Sequence, residues 1–115
     1  MLNKDDIIRF RHMLDAAEKA LDFIKYKRRS DLDIEPMLTF AIVRALEIIG
    51  EAANKITDEG RSEYSNLPWP KIIGMRNRIV HAYFDINLDR VWETVTYDLP
   101  SLIDELKRIL NDYNE

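Results

Sequence analysis

The segment PMLTFAIVRALEIIGEAANKI, residues 36–56, predicts the central helix of the fold. Apolar residues recur along it at intervals of three and four, which places them on one face of a helix. That stripe consists of Leu38, Ile42, Ala45, Ile49, Ala52 and Ile56. Other apolar side chains extend around much of the cylinder, namely Met37, Phe40, Ala41, Val43, Leu46 and Ile48. A helix that is apolar on more than one face lies at the centre of its fold or packs against a partner subunit.

Capping residues and a proline predict where the central helix begins, and they also predict an earlier helix near the N-terminus. Asp33 is the expected N-cap, and Pro36 falls in the first turn, where its missing N–H costs little. An earlier helix is expected from about Lys4 to Lys27, with Asn3 as its N-cap. Its apolar residues also step by three and four, as a packed helix face requires.

Two further helices complete the pattern. A third helix is expected to begin in LPWPKIIG (67–74) and to run to about Phe84. Asn87 can cap a last helix, which Pro100 should kink or split, with Asp98 as the cap of the second piece. Four amphipathic helices joined by short loops predict an all-α, up-and-down four-helix bundle.

The composition fits one globular domain that spans residues 1–115. Hydrophobic residues make up 46% of the chain and charged residues 33%, and three glycines leave little material for hairpins. Cysteine is absent, which excludes a disulfide or a thiolate site and fits a cytoplasmic location. We see neither a signal-peptide pattern nor an apolar run of transmembrane length, so no membrane contact is expected. The net charge of −4 argues against a protein that coats nucleic acid, yet it leaves room for a small phosphate site.

The segment RNRIVHAY, residues 76–83, carries the candidate chemistry. On a continuous third helix, Arg76 would lie at the centre of the apolar stripe. A guanidinium keeps its proton there, so it needs a carboxylate, a phosphate or a route to solvent. Glu47 and Glu51, one turn apart on the second helix, are the candidate internal carboxylates. A buried Arg–Glu ion pair and a phosphate site both remain open on this pattern.

His81 would project away from Arg76 and share its side of the helix with Asn77 and Gly74. A glycine inside a helix can allow another backbone to approach closely. A second subunit packed beside this helix would bring two copies of the segment together and so unite the arginine with the histidine. A purely structural histidine is the alternative, and His12 on the first helix is given only that role.

The Arg-x4-His-x-Tyr pattern of Arg76, His81 and Tyr83 resembles the motif of the HEPN superfamily, in its HepT-like branch. The resemblance extends over essentially the whole chain and implies a HEPN-like helical bundle. The second, third and last helices of that branch are similar to three segments of this sequence: ALEIIGEAANKI (45–56), LPWPKIIGMRNRIVHAYFDIN (67–87) and VWETVTYDLPSLIDEL (91–106).

This resemblance implies the toxin of a type VII-like toxin–antitoxin system, a metal-independent endoribonuclease that needs no cofactor. It implies a homodimer in which Arg76 and His81 of both subunits line a cleft for RNA such as tRNA or mRNA. Asn77 is the candidate for orienting the phosphate. The resemblance also implies a minimal nucleotidyltransferase as antitoxin, which silences the toxin by attaching AMP to Tyr83.

Two alternatives remain open on the sequence. One is a non-catalytic HEPN module that binds a nucleotidyltransferase partner or nucleotides, which the acidic net charge favours. The other is a structural homodimer in which Arg76 pairs with Glu47 or Glu51 and His81 is incidental. Lys71, Arg78 and the basic segment KYKRR (25–29) are candidates to guide RNA, although ordinary solvated helix faces and ends explain them as well.

Overall fold

The computed structural model describes residues 2–79 and 85–113, and every regular element among them is helical. The elements are α1 Lys4–Phe23, α2 Asp31–Ile34, α3 Pro36–Asn54, α4 Asp58–Glu63, α5 Trp69–Ile73, α6 Met75–Ile79, α7 Leu88–Glu93 and α8 Leu99–Asn111. A π-helical segment, Thr94–Asp98, joins α7 to α8. The predicted all-α bundle is therefore confirmed. None of the described helices combines the length and the apolar character needed to cross a bilayer.

The bundle is organised around α3, as its apolar pattern predicts. This helix packs along α1 on one side and against α5 and α6 on another, while α8 packs on α1. The buried apolar side chains of these helices form one contiguous core. Within it, the ring of Phe10 lies edge-on to the rings of Tyr64 and Trp69, with centroid distances of 5.8 and 5.9 Å. This aromatic contact ties the loop before α5 to α1.

The first helix begins as predicted and ends earlier. The Asn3 side chain accepts a hydrogen bond from the backbone N–H of Asp6 at 2.7 Å, which confirms the N-cap. The helix ends at Phe23 rather than at Lys27. Tyr26 adopts a φ of 64°, and this left-handed conformation cannot continue a right-handed helix.

The start of α3 corrects one prediction. Pro36 does occupy the first turn, but Asp33 belongs to the short helix α2 and Glu35 stands at the N-cap position. The Asp33 carboxylate instead accepts a hydrogen bond from the guanidinium of Arg29 at 3.1 Å. An ion pair within the preceding turn thus takes the side chain that was expected to cap α3.

The last helix is interrupted where the sequence predicts it. The Asn87 side chain caps α7 by accepting a hydrogen bond from the backbone N–H of Arg90 at 3.0 Å. Pro100 lacks an N–H, and the turn just before it is widened, with the N–H of Leu99 donating to the carbonyl of Thr94. Asp98 stands at the N-cap position of α8, as predicted, but its side chain forms no capping hydrogen bond.

Candidate functional site

The third helix of the sequence analysis is broken at Gly74 into α5 and α6. The predicted continuous helix is therefore wrong over its described part, and residues 80–84 lie outside the described residues. Met75 and Ile79 point into the core, whereas Arg76 is 49% exposed. The arginine thus lies on the solvent side of α6 rather than at the centre of an apolar stripe. Gly74 disrupts the single helical phase on which that expectation depended.

Arg76 is held by a carboxylate of α3. Its Nε donates to Oε2 of Glu47 across 3.0 Å, and the Glu47 side chain is 25% exposed. Glu51, the other candidate, lies 3.5 Å from Arg44 instead, on the exposed surface of α3. The structure thus assigns Arg76 to Glu47, in an ion pair that remains open to solvent and is not buried.

Gly50 explains how α5 comes close enough to α3 for this pairing. A Cβ atom built on Gly50 would lie 3.2 Å from the carbonyl oxygen of Ile73 and 3.4 Å from that of Ile72. The end of α5 thus rests almost directly on the α3 backbone, less than one turn beyond Glu47. We expected the close approach at Gly74, but a Cβ there would meet the carbonyl of Pro70, within the same segment, at 3.1 Å. The sequence analysis missed Gly50, although a glycine inside a long apolar helix is a signal that could have identified it.

The remaining polar face of α6 is also exposed to solvent. Asn77 and Arg78 follow Arg76, and all three side chains are exposed. Among the residues that the structure describes, Glu47 is the one hydrogen-bonding partner of Arg76, and it contacts Nε alone. A phosphate could accept hydrogen bonds from both Nη groups of the guanidinium at once.

Two of the predicted site residues, His81 and Tyr83, lie outside the described residues. The described residues on either side of them are hydrogen-bonded to each other: the N–H of Asn87 donates to the carbonyl of Ile79 at 2.7 Å. Arg76 and Asn77 therefore stand on a helix whose C-terminal end is joined to the start of α7.

Comparison with known proteins identifies the family of the chain. The family model described as Ribonuclease HepT-like matches residues 13–109, a range that includes Arg76, His81 and Tyr83. The chain belongs to the HepT-like ribonuclease family. No solved structure gives a significant match.

Three relatives of this HepT-like chain are similar to it over most of their length. "Putative RNase TTE0752" of Caldanaerobacter subterraneus subsp. tengcongensis is 39% identical over 86% of this chain and 88% of its own. "Putative RNase MJ0125" of Methanocaldococcus jannaschii is 35% identical over 96% and 84% of the two chains. "Probable ribonuclease HepT" of Thermococcus cleftensis is 33% identical over 83% and 86%.

Two cations of the basic segment 25–29 of this HepT-like chain, Lys27 and Arg29, form ion pairs that stabilise the fold. Lys27 donates to both carboxylate oxygens of Glu35, at 2.9 and 3.1 Å, and this hydrogen bond raises the pKa of the Lys27 ammonium. Arg29 lies 2.7 Å from Asp89 at the start of α7, and this contact raises the pKa of its guanidinium. Both cations therefore tie the turn after α1 to neighbouring helices, which makes them poor candidates to guide RNA.

Proposed function

We propose that this HepT-like chain is a ribonuclease toxin that cleaves RNA without a metal ion, using Arg76 and His81. Family membership supports a ribonuclease, and the exposed fork of Arg76 is the observation that carries the proposal to a site. An ion pair that is open to water contributes little to the stability of a fold, so it gives a weak structural reason for an arginine at this position. This one is half exposed on a polar helix face and is anchored at Nε alone among the described residues.

The Arg76–Glu47 contact suits a phosphate-binding arginine. One carboxylate fixes the side chain at Nε, so the Nη groups are presented with little loss of rotamer freedom on binding. The pair is open to water, so its attraction is moderate and a phosphate can add to it without displacing a buried partner. Arg76 would then stabilise the charge that develops on the phosphoryl oxygens. Asn77, the next exposed residue, would orient the phosphate.

The proposed reaction is an internal transesterification of RNA. The ribose 2′-oxygen attacks the adjacent phosphorus as its proton passes to one imidazole. The bond from phosphorus to the 5′-oxygen then breaks as that oxygen takes a proton from a second imidazole. The products are a 2′,3′-cyclic phosphate and a 5′-hydroxyl end. One His81 cannot conveniently be acid and base in the same step, so the proposal includes a homodimer in which two copies divide the tasks.

Regulation by a partner is the second part of the proposal. Tyr83 would be the residue to which a minimal nucleotidyltransferase antitoxin attaches AMP. The attached group would add a negative charge and a nucleoside beside the site, which excludes RNA by repulsion and by bulk.

The test is expression of the chain without any nucleotidyltransferase. Wild type should arrest growth and cleave RNA in the presence of EDTA, and its mass in solution should be twice the 13.6 kDa of one chain. Arg76→Ala and His81→Ala should each lower the cleavage rate by about a hundredfold or more while remaining folded. His12→Ala, which changes the exposed histidine of α1, should cleave like wild type.

A different result would favour the non-catalytic module. Wild type that neither arrests growth nor cleaves RNA, yet binds a nucleotidyltransferase, would overturn the proposed activity. The acidic net charge of −4 is the observation that keeps this alternative in view.

A further inference from the structure

A groove with a mostly basic lining lies between α5 and α6 on one side and α7 with the π-helical segment on the other. Its cavity volume is about 180 Å3, and its charged and aromatic lining consists of Lys71, Arg78, Arg90, Glu93, Tyr97 and Asp98. We call this the cationic groove. It includes part of the solvent-exposed surface of α6, because Arg78 is exposed and belongs to its lining.

Two arginines in the cationic groove have charges that the described residues leave unpaired. Lys71 is neutralised, since its Nζ lies 3.1 Å from Oδ1 of Asp98. Arg78 and Arg90 are exposed, and neither forms an ion pair within the described part of the chain. The lining carries three cations, Lys71, Arg78 and Arg90, against the two carboxylates of Glu93 and Asp98, so the groove has a net charge of +1 in a protein of net charge −4 and favours anions locally.

The aromatic wall of the groove adds a second observation. Tyr97 is 75% exposed, although a tyrosine ring gains free energy when it is covered. It stands in the π-helical segment, a feature that is frequent at functional sites. The same ring lines an adjoining cavity of about 290 Å3, whose walls include the apolar side chains of Leu67 and Met75 and the polar side chains of Asn66 and Ser101. This cavity has an aromatic face, apolar walls and hydrogen-bonding groups.

A nucleotide fits this combination of features. A base stacked on Tyr97 would enter the adjoining cavity, and its phosphate would lie towards Arg78 and Arg90. Ordinary solvation of a helix face explains one exposed arginine. It does not explain an exposed aromatic ring that separates a cationic groove from a partly apolar cavity.

We propose that the cationic groove binds single-stranded RNA beside the cleavage site, with Tyr97 as the stacking platform and Arg78 and Arg90 as phosphate contacts. This inference rests on the proposed ribonuclease function, because it names the part of the protein that holds the substrate strand. Arg76 and the groove residue Arg78 stand two residues apart on α6, so a strand held in the groove would lie near the proposed cleavage site.

The test measures binding of a fluorescein-labelled, 12-nucleotide single strand whose 2′-hydroxyls are methylated, so that no cleavage can occur. Tyr97→Ala should weaken binding by roughly 5- to 100-fold, whereas Tyr97→Phe should retain most of the affinity. Arg90→Ala should weaken binding and lower the slope of log affinity against log salt by about 0.7, the loss of one phosphate contact. Thermal denaturation of each variant establishes that it is folded.

Matched controls separate the groove from general electrostatics. Tyr26→Ala removes a tyrosine that is 95% exposed in the turn after α1, and Arg11→Ala removes an exposed arginine of α1. Both should bind like wild type. Wild type that does not bind the strand, or a Tyr97→Ala variant that binds it as Tyr26→Ala does, would overturn the inference.

Cleavage of unmodified RNA distinguishes this inference from the proposed function. Cleavage with no dependence on Tyr97 or Arg90 would overturn the groove and leave the ribonuclease standing. Binding that depends on Tyr97 and Arg90, in a wild-type protein that cleaves no RNA, would overturn the ribonuclease and support the groove as an RNA-binding surface.

Discussion

Replacing Glu47 by glutamine tests whether the Arg76 ion pair orients a catalytic group or merely stabilises the fold. The substitution keeps the shape of the side chain and removes the charge that holds Nε of Arg76 at 3.0 Å. Because the pair is 49% and 25% exposed at its two ends, it contributes at most about 1 kcal/mol to the free energy of unfolding. The melting temperature should fall by less than about 8 °C.

The effect of Glu47→Gln on activity should be larger than its effect on stability suggests. Without the carboxylate, Arg76 must be immobilised when RNA binds, at a cost of about 0.5–1.5 kcal/mol for one long side chain. That cost corresponds to a loss of roughly 2- to 12-fold in kcat/KM. The assay is steady-state cleavage of an RNA oligonucleotide by the purified variant, with a melting curve recorded on the same preparation.

A double-mutant cycle and a charge-matched control decide the interpretation. In an Arg76→Ala background, Glu47→Gln should have no further effect on kcat/KM, because no arginine remains to be oriented. Glu51→Gln removes the same charge near Glu47, from a carboxylate that pairs with Arg44, and should leave kcat/KM unchanged. An undiminished rate for Glu47→Gln, or an equal loss in both backgrounds, would refute the orienting role.

Three further predictions concern stability and regulation. Asp6→Ala should lower the free energy of unfolding by about 2–4 kcal/mol in a urea titration. The reason is that the buried Asp6 carboxylate accepts hydrogen bonds from the backbone N–H and the Oγ1 hydroxyl of Thr57. A loss under about 1 kcal/mol would contradict this. Burial, aided by the Tyr113 hydroxyl, raises the pKa of Tyr64, so the folded state keeps that proton to higher pH than the unfolded chain. Stability should therefore fall above about pH 10, and less steeply in Tyr64→Phe; equal slopes would refute the assignment. Tyr83→Phe should cleave RNA normally and remain active when the nucleotidyltransferase and ATP are present, and silencing of this variant would exclude Tyr83 as the modified residue.

Local signals in the sequence predicted the helices well wherever one or two neighbouring residues determine the outcome. The cap at Asn3, the cap at Asn87 and the interruption at Pro100 all depend on contacts within one or two turns. The apolar pattern of residues 36–56 likewise predicted that α3 would be central, because burial follows directly from that pattern. The cap expected at Asp33 was wrong, since its carboxylate pairs with Arg29 instead.

At the candidate site, the orientation of Arg76 could not be predicted from the sequence. A single helical wheel placed Arg76 among apolar residues, and the break at Gly74 invalidates the wheel because α5 and α6 do not share one continuous helical phase. Whether Arg76 pairs with Glu47 or with Glu51 depends on the position at which α5 packs on α3. The close contact at Gly50 determines that position. Such contacts between distant parts of the chain leave no periodic signal in one sequence.

An acidic protein can bind RNA where its surface cations are not paired with carboxylates. At physiological salt, exposed charges act over about 8 Å, so RNA approaching the chain responds to local groups rather than to the net charge of −4. Lys27, Arg29 and Arg44 have nearby carboxylates that cancel their fields. Arg76 retains free donors, and Arg78 has no ion-pair partner among the described residues. Arg76 and Arg78 are thus two cations of α6 whose donors a phosphate could meet locally, and the net charge of the whole chain does not exclude binding there.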